Sequence, residues 1–286
     1  MTSGKSIKEL LNIGIDLLNE AGIENSIFDA RAFLCEILNK DQIFLDIHKN
    51  DIITLEAENT FLEYIQRRCK NEPYAYIVNK KEFMSLDFYV DKNVLIPRPD
   101  TEVLVEYIID YCKNKNKHLD ILDLCTGSGA IAVSIAHYVK NCLVTAVDIS
   151  DDALEIATKN AISTHTDNKI SFKKYDVLSD ISPIGTFDII VSNPPYIRKK
   201  DILTLNNNVK DYEPILALDG GEDGLIFYKS IIENADKVLK PDGMIAFEIG
   251  FDQSDDVSAI LSKNNFKDIN VLKDYSENDR VIVAFK

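Results

Sequence analysis

Over roughly the first seventy positions apolar residues recur at spacings of three and four, as in Ile7, Leu10, Leu11, Ile15 and Leu18, the mark of a helix with one buried face. The same periodicity predicts helices over Ile27 to Leu38 and Leu55 to Cys69; Arg67, Arg68 and Lys70 close the latter, where cations suit the dipole of a helix C-terminus. A small helical domain over residues 1–73 follows. From Tyr74 to Leu95 the pattern becomes alternation, with Leu86, Phe88 and Val90 on one face and Asp87, Tyr89 and Asp91 on the other. That predicts a strand or hairpin linker over residues 74–97. Pro97 and Pro99 then precede the periodic run Val103, Leu104, Tyr107 and Ile108, which places the prolines at a helix entrance.

Residues 98–286 alternate between short apolar runs and helical periodicity. Strand candidates are Ile121 to Leu124, Leu143 to Val147, Ile170 to Phe172, Phe187 to Val191, Met244 to Ile249, Ile269 to Leu272 and Val281 to Phe285. Helical runs lie between most of them, notably Ala130 to Tyr138, Asp152 to Ala161, Leu225 to Leu239 and Ser254 to Leu261, as in a doubly wound α/β sheet. The last two strands are separated by only about seven residues, too few for a right-handed crossover helix, so they should pair antiparallel. The expected fold is Rossmann-like: a mostly parallel seven-stranded sheet with one antiparallel strand near its edge.

Composition narrows the function. Of 286 residues 45% are hydrophobic and 28% charged, which describes a globular enzyme. No apolar run approaches the roughly 20 residues that span a bilayer, and Met1 to Leu11 lacks a signal-peptide pattern, so a cytoplasmic, membrane-free protein is expected. The five cysteines are odd in number and contain no C-x-x-C pair, and the four histidines lack ligand spacing, so neither disulfides nor a metal site is expected. A net charge of −15 opposes stable nucleic-acid binding.

Two motifs carry chemistry. In Asp120-Ile-Leu-Asp-Leu-Cys-Thr-Gly-Ser-Gly-Ala130 a glycine-bearing turn follows a strand and opens a helix, so a ligand can approach the backbone at Cys125, Thr126, Gly127, Ser128 and Gly129. The absence of G-x-x-x-x-G-K disfavours a triphosphate loop. Asp148 ends the next strand, about twenty residues on, where a carboxylate accepts from ribose hydroxyls; its alternative role is a helix N-cap. Asp176 and Val177, after the third strand, would border a purine ring. A nicotinamide enzyme could share these features, so they do not choose the reaction.

The fourth strand does. It runs directly into Asn193-Pro194-Pro195-Tyr196 at the carboxyl end of the sheet. A nitrogen conjugated to an sp² carbon is a poor nucleophile, and two acceptors, the Asn193 side-chain oxygen and the Pro194 carbonyl, would orient it and stabilise its developing positive charge. Pro195 restricts Pro194, and the Tyr196 ring can pack on a planar amide or base. The alternative for these residues is a turn whose prolines stop the sheet. No general base is assigned, since the product proton can leave to water.

Across nearly its whole length the sequence resembles the HemK/PrmC family of release-factor glutamine methyltransferases. The resemblance rests on Asn193-Pro-Pro-Tyr196 with Val94-Leu-Ile-Pro-Arg-Pro-Asp-Thr-Glu102, Lys81-Glu82-Phe83, Glu213-Pro214, Leu218-Asp-Gly-Gly-Glu-Asp-Gly224, Phe247-Glu-Ile-Gly250 with Gln253, and Asp279-Arg280-Val281. It implies S-adenosylmethionine as cofactor, held by Cys125 to Gly129, Asp148, Asp176, Val177 and Asn193, and methyl transfer to N5 of the glutamine in the Gly-Gly-Gln motif of class 1 peptide chain release factors. Asn193, Pro194, Pro195 and Tyr196 would bind that glutamine, Asn193, Pro194 and Tyr196 acting in catalysis, with Arg98 and Glu102 in support or forming a helix-start salt bridge. The helical N-terminal domain would contact the protein substrate. Cys125 stands where many members have glycine, Asn79 and Ser85 replace glycines of the connecting hairpin, and Val177 takes a position beside the adenine. Alternatives are a sister glutamine methyltransferase of a large-subunit ribosomal protein, a nucleic-acid adenine-N6 methyltransferase, and a non-catalytic cofactor-binding scaffold.

Overall fold

The computed structural model describes residues 4–113, 115 and 117–286, so residues 1–3 of the expected first domain lie outside the described residues. The chain forms two compact units. One comprises residues 1–79 with 207–212, the other residues 80–206 and 213–286.

The first unit is helical, with α1 (Ile7–Glu20), α2 (Ser26–Leu38), α3 (Gln42–Ile47), α4 (Leu55–Arg68) and α5 (Tyr74–Val78). A reciprocal capping box starts α1, the Ser6 side chain accepting from Glu9 N while the Glu9 carboxylate accepts from Ser6 N. Thr54 caps α4 in the simpler way. The periodic apolar faces meet in a core containing Leu10, Leu18, Phe33, Leu34, Phe61 and Ile65. Tyr74 to Val78 is helical, against the expected extended linker. Pro73 is its N-cap, and its carbonyl accepts from Tyr76 N and Ile77 N, so a single helical turn overrides the β-like composition.

The second unit opens with a hairpin, β1 (Lys81–Phe83) and β2 (Leu86–Phe88), closed by Met84 and Ser85, both at left-handed φ (50° and 57°). A two-residue turn with both φ positive matches the twist of the strands, which explains a glycine preference there. Tyr89 to Arg98 then runs without regular structure until α6 (Pro99–Lys113). Next come β3 (Leu119–Leu124), α7 (Ala130–Tyr138), β4 (Cys142–Asp148), α8 (Asp151–Ser163), β5 (Ile170–Lys174) and β6 (Phe187–Ser192). The short helix α9 (Lys199–Ile202) is followed in the chain by α10 (Asn207–Lys210), which belongs to the first unit, and then in the second unit by α11 (Ile226–Val238), β7 (Leu239–Glu248), α12 (Ser254–Lys263), β8 (Lys267–Lys273) and β9 (Asp279–Phe285).

The sheet has the order β5-β4-β3-β6-β7-β9-β8. All pairings are parallel except those of β9, which runs against both β7 and β8. Central strands are covered on both faces, which is why β6 is buried along its whole length. Strand order reverses beside β3: the chain steps outward to β4 and β5, then returns to the other side of β3 with β6. Ligands of open α/β sheets bind outside the carboxyl ends of the strands at such a reversal.

Candidate active site

A cavity of about 320 Å³ opens at that point, entirely within the second unit. The loop leaving β3, the ends of β4 and β5, the turn after β6 and the segment before α6 all reach it.

The loop takes its shape from three left-handed residues: Cys125 (φ 60°), Gly127 (φ 54°) and Gly129 (φ 79°). A Cβ on Gly127 would meet nothing within 4 Å, so the backbone there faces open space. At Gly129 the reason for glycine is different, since an added Cβ would lie 3.0 Å from the Ala157 side chain of α8. Thr126 Oγ1 donates to Asp123 Oδ2 (2.6 Å), and Thr126 N donates to Val147 O (3.0 Å), fixing the loop to β3 and β4. Buried Asn160 donates to both Ser128 O (2.8 Å) and Tyr89 O (3.0 Å), so one amide of α8 holds the loop and the segment beyond the hairpin. Burial pushes the Asp123 carboxyl up to about 7.

Asp148 closes β4 beneath this loop. Its Oδ2 accepts from Gly127 N (2.9 Å) and its Oδ1 from Ser150 N (3.0 Å). The N-cap of α8 is Ser150, whose side chain accepts from Ala153 N, so Asp148 is not committed to capping and lines the cavity. Burial raises its carboxyl, opposed by the backbone donors at Ser150 and Gly127. Asp176 and Val177 line the far wall with Tyr175 and Leu178; Asp176 Oδ1 also accepts from Leu178 N (2.9 Å) within its own turn.

Asn193 and Pro195 line the cavity on its other side, while Pro194 and Tyr196 stand outside the lining. Asn193 Nδ2 donates to Thr101 Oγ1 (3.3 Å), and Thr101 donates in turn to Glu248 Oε2. The Tyr196 hydroxyl donates to Glu248 Oε1 (3.1 Å), and the buried Tyr228 hydroxyl to the Glu248 carbonyl (2.8 Å). Burial raises the Glu248 carboxyl, opposed first by Thr101 and then by Arg280 and Tyr196. Gln253 accepts from Gly250 N (2.9 Å) and donates to Tyr196 O (3.1 Å) and Gly224 O (3.2 Å). Gly220 packs so closely on the Tyr196 backbone that an added Cβ would come within 2.8 Å. The sequence segments flanking this turn thus form its frame.

Of the two readings of Arg98 and Glu102, a role in shaping the site or a helix-start salt bridge, the second is not seen between them. Arg98 lines the cavity and pairs with buried Glu213. Glu102 lies outside the lining, and its Oε1 accepts from Met84 N (2.7 Å), tying α6 to the hairpin. Gly129 also lies outside the lining, its role being the close approach to α8. Sequence reasoning gave no role to Thr101 or Glu248. The available signal was a carboxylate in an otherwise apolar strand, Met244-Ile-Ala-Phe-Glu248.

A mostly parallel sheet with its reversed strand beside one edge, a glycine-bearing loop over an acid-ended strand, and an Asn-Pro-Pro-Tyr turn at the same cavity define an S-adenosylmethionine-dependent methyltransferase. Comparison with known proteins agrees. The PrmC N-terminal domain model matches residues 9–78 and the methyltransferase small domain model residues 99–220. The release factor glutamine methyltransferase of Clostridium acetobutylicum is 44% identical, with 98% of each chain covered. That of Clostridium botulinum is 41% identical, covering 98% of this chain and 99% of its own. A methyltransferase structure from Pyrococcus furiosus shares the fold, with a TM-score of 0.51 and 20% identity over 72% of this chain and 91% of its own. The chain belongs to the release factor glutamine methyltransferase family.

The open backbone at Gly127 and the cavity-facing Asp148 suit a cofactor that carries a ribose. The reaction is methyl transfer. Among the described residues, no helix is long and apolar enough to cross a membrane.

Proposed function

We propose that this chain methylates the side-chain amide nitrogen of the glutamine in a Gly-Gly-Gln motif of peptide chain release factors, acting in the cytoplasm on the translation machinery. The observation that carries the reading is the Asn193-Pro194-Pro195-Tyr196 turn, rigidly framed and set against the cavity that the cofactor loop forms. The names of its relatives support the substrate. Bound S-adenosylmethionine supplies a methyl group on a positively charged sulfur.

The residues of the chain do the rest. Asp148 would accept from the cofactor ribose, Cys125 to Ser128 would give it a backbone bed, and Asp176 and Val177 would border its base. Asn193 Oδ1 and the Pro194 carbonyl each accept one N–H of the substrate amide, which turns the nitrogen lone pair toward the methyl group. As the N–C bond forms, positive charge grows on that nitrogen, and the same two oxygens stabilise it without reorganising. The methyl group would transfer without the bonding pair it shared with sulfur, and the extra proton on nitrogen would leave to water. Tyr196, its hydroxyl held by Glu248, acts by stiffening the turn, and Arg98 supports the wall where it pairs with Glu213.

The test is transfer from methyl-labelled S-adenosylmethionine to purified release factor, large-subunit ribosomal protein and DNA in parallel, with the product residue mapped by mass spectrometry. Label on the Gly-Gly-Gln glutamine is expected. Label confined to ribosomal protein or adenine would replace the substrate, and bound cofactor without any transfer would replace catalysis with a scaffold role.

A further inference from the structure

A carboxamide can present either its oxygen or its nitrogen to a ligand, and only the oxygen can accept an N–H. The proposed function therefore requires Asn193 to hold one of two orientations that differ little in shape. The structure contains a device that selects between them. Thr101 Oγ1 lies between Asn193 Nδ2 and Glu248 Oε2, and a hydroxyl has one proton to give. Glu248 accepts at both oxygens, from Tyr196 at Oε1 and from Thr101 at Oε2, so that proton goes to Glu248. Thr101 is left with lone pairs alone to offer Asn193, which must answer with its NH2 group. Its Oδ1 is then directed away from Thr101.

We propose that Thr101 and Glu248 are positioning residues that set the orientation of the Asn193 amide, so that its oxygen is presented to the substrate nitrogen. This rests on the reading of Asn193 as an acceptor for the substrate amide. Glu248 is suited to the task because it is buried, at 2% exposure, and has its second oxygen engaged by the Tyr196 hydroxyl. A single carboxylate thereby secures both ends of the catalytic turn, Tyr196 directly and Asn193 through Thr101. The reversed amide would set an NH2 group against the substrate N–H, two donors facing each other.

The test compares Thr101→Val, which keeps the shape and removes the hydroxyl, with Thr101→Ser, which keeps the hydroxyl. For Val we expect kcat on a Gly-Gly-Gln peptide to fall roughly ten- to a hundredfold, the effect of one misdirected hydrogen bond, with KM and cofactor affinity near wild type. Ser should restore most of the rate. A second readout needs no turnover: in nitrogen-15 spectra of the cofactor-free protein, the Asn193 side-chain NH2 should exchange slowly in wild type and shift and exchange faster in Val.

Wild-type kcat in Val would overturn the proposal, as would a loss that tracks cofactor affinity, since Thr101 would then be a ligand contact. If Val fails to fold, the Ser and Ala variants decide: activity in Ser alone supports the relay, and equal activity overturns it. If wild type does not methylate the peptide at all, the proposed function fails, and the Asn193 resonances judge the relay by themselves.

Discussion

The loop after β3 and the turn after β6 meet at one cavity, yet different forces hold them. The loop is shaped by backbone conformation, with left-handed angles at Cys125, Gly127 and Gly129, and its partners lie on adjacent strands or on the helix packed above. The turn has no such angles at Asn193 to Tyr196; it is held by side chains from remote parts of the chain, namely Thr101, Glu248 and Gln253. The difference matches the task. A cofactor bed must leave room for a ligand, so open backbone serves it, whereas a group that orients a reacting nitrogen gains from being over-determined.

The sharpest break in that comparison removes the acceptor and leaves its frame. Asn193→Ala should lower kcat by about a thousandfold, the scale seen when one preorganised polar group is taken from a transition state. Cofactor affinity should stay close to wild type, because the loop is held independently. Equal losses in binding and turnover, measured by calorimetry and single-turnover kinetics, would show that loop and turn are one unit.

Removing the frame instead should strike stability. Gln253→Ala deletes a side chain that makes three hydrogen bonds at 1% exposure, leaving Tyr196 O, Gly224 O and Gly250 N without it. A cost of about 3 kcal/mol follows from stranding buried polar groups, readable as a lower midpoint in urea with unchanged slope. If the midpoint stays and only turnover falls, the frame tunes the turn without supporting the fold.

On the loop side the expected effect is smaller and depends on pH. Asp148→Ala should weaken cofactor binding roughly thirtyfold, as loss of a charged acceptor does, about 2 kcal/mol. Burial raises the Asp148 carboxyl in the free protein. Ribose hydroxyls donate to the ionised form, so binding draws its pKa down, and affinity should climb as pH rises through the raised value and then level off. The Ala variant should lack that rise. A slope that persists in Ala belongs to another group.

The same contrast explains what the sequence could show. Strand and helix periodicity and a glycine-bearing loop are local patterns, which is why the parallel sheet and the loop over Asp148 were readable. Thr101 and Glu248 are 147 positions apart, and Asn193 lies 92 from Thr101, so no local pattern joins them. For Arg98 the acids nearest in sequence are Asp100 and Glu102, but its partner is Glu213, 115 positions on, since Glu102 accepts from the hairpin and Asp100 faces Arg280. Tyr74 to Val78 misled for the converse reason: five residues are too few to show a helical period, and the deciding contact is the Pro73 carbonyl.

The smallest effect tests whether backbone conformation alone shapes the loop. Cys125 has φ 60°, where a side chain costs about 1–2 kcal/mol and glycine costs nothing. Cys125→Gly removes that strain but gives the unfolded chain more freedom, worth about 0.5–1 kcal/mol. The net gain should be about 0.5 kcal/mol, a melting midpoint higher by roughly 1–2 °C. Cys125→Val should move the other way by more, because a β-branched side chain suits left-handed angles least. Cys125 also packs against the core cluster that contains Tyr228, so its thiol is the competing explanation. If Gly melts clearly below wild type while Val melts at or above it, packing has outweighed backbone strain, and the loop is held by side chains as the turn is.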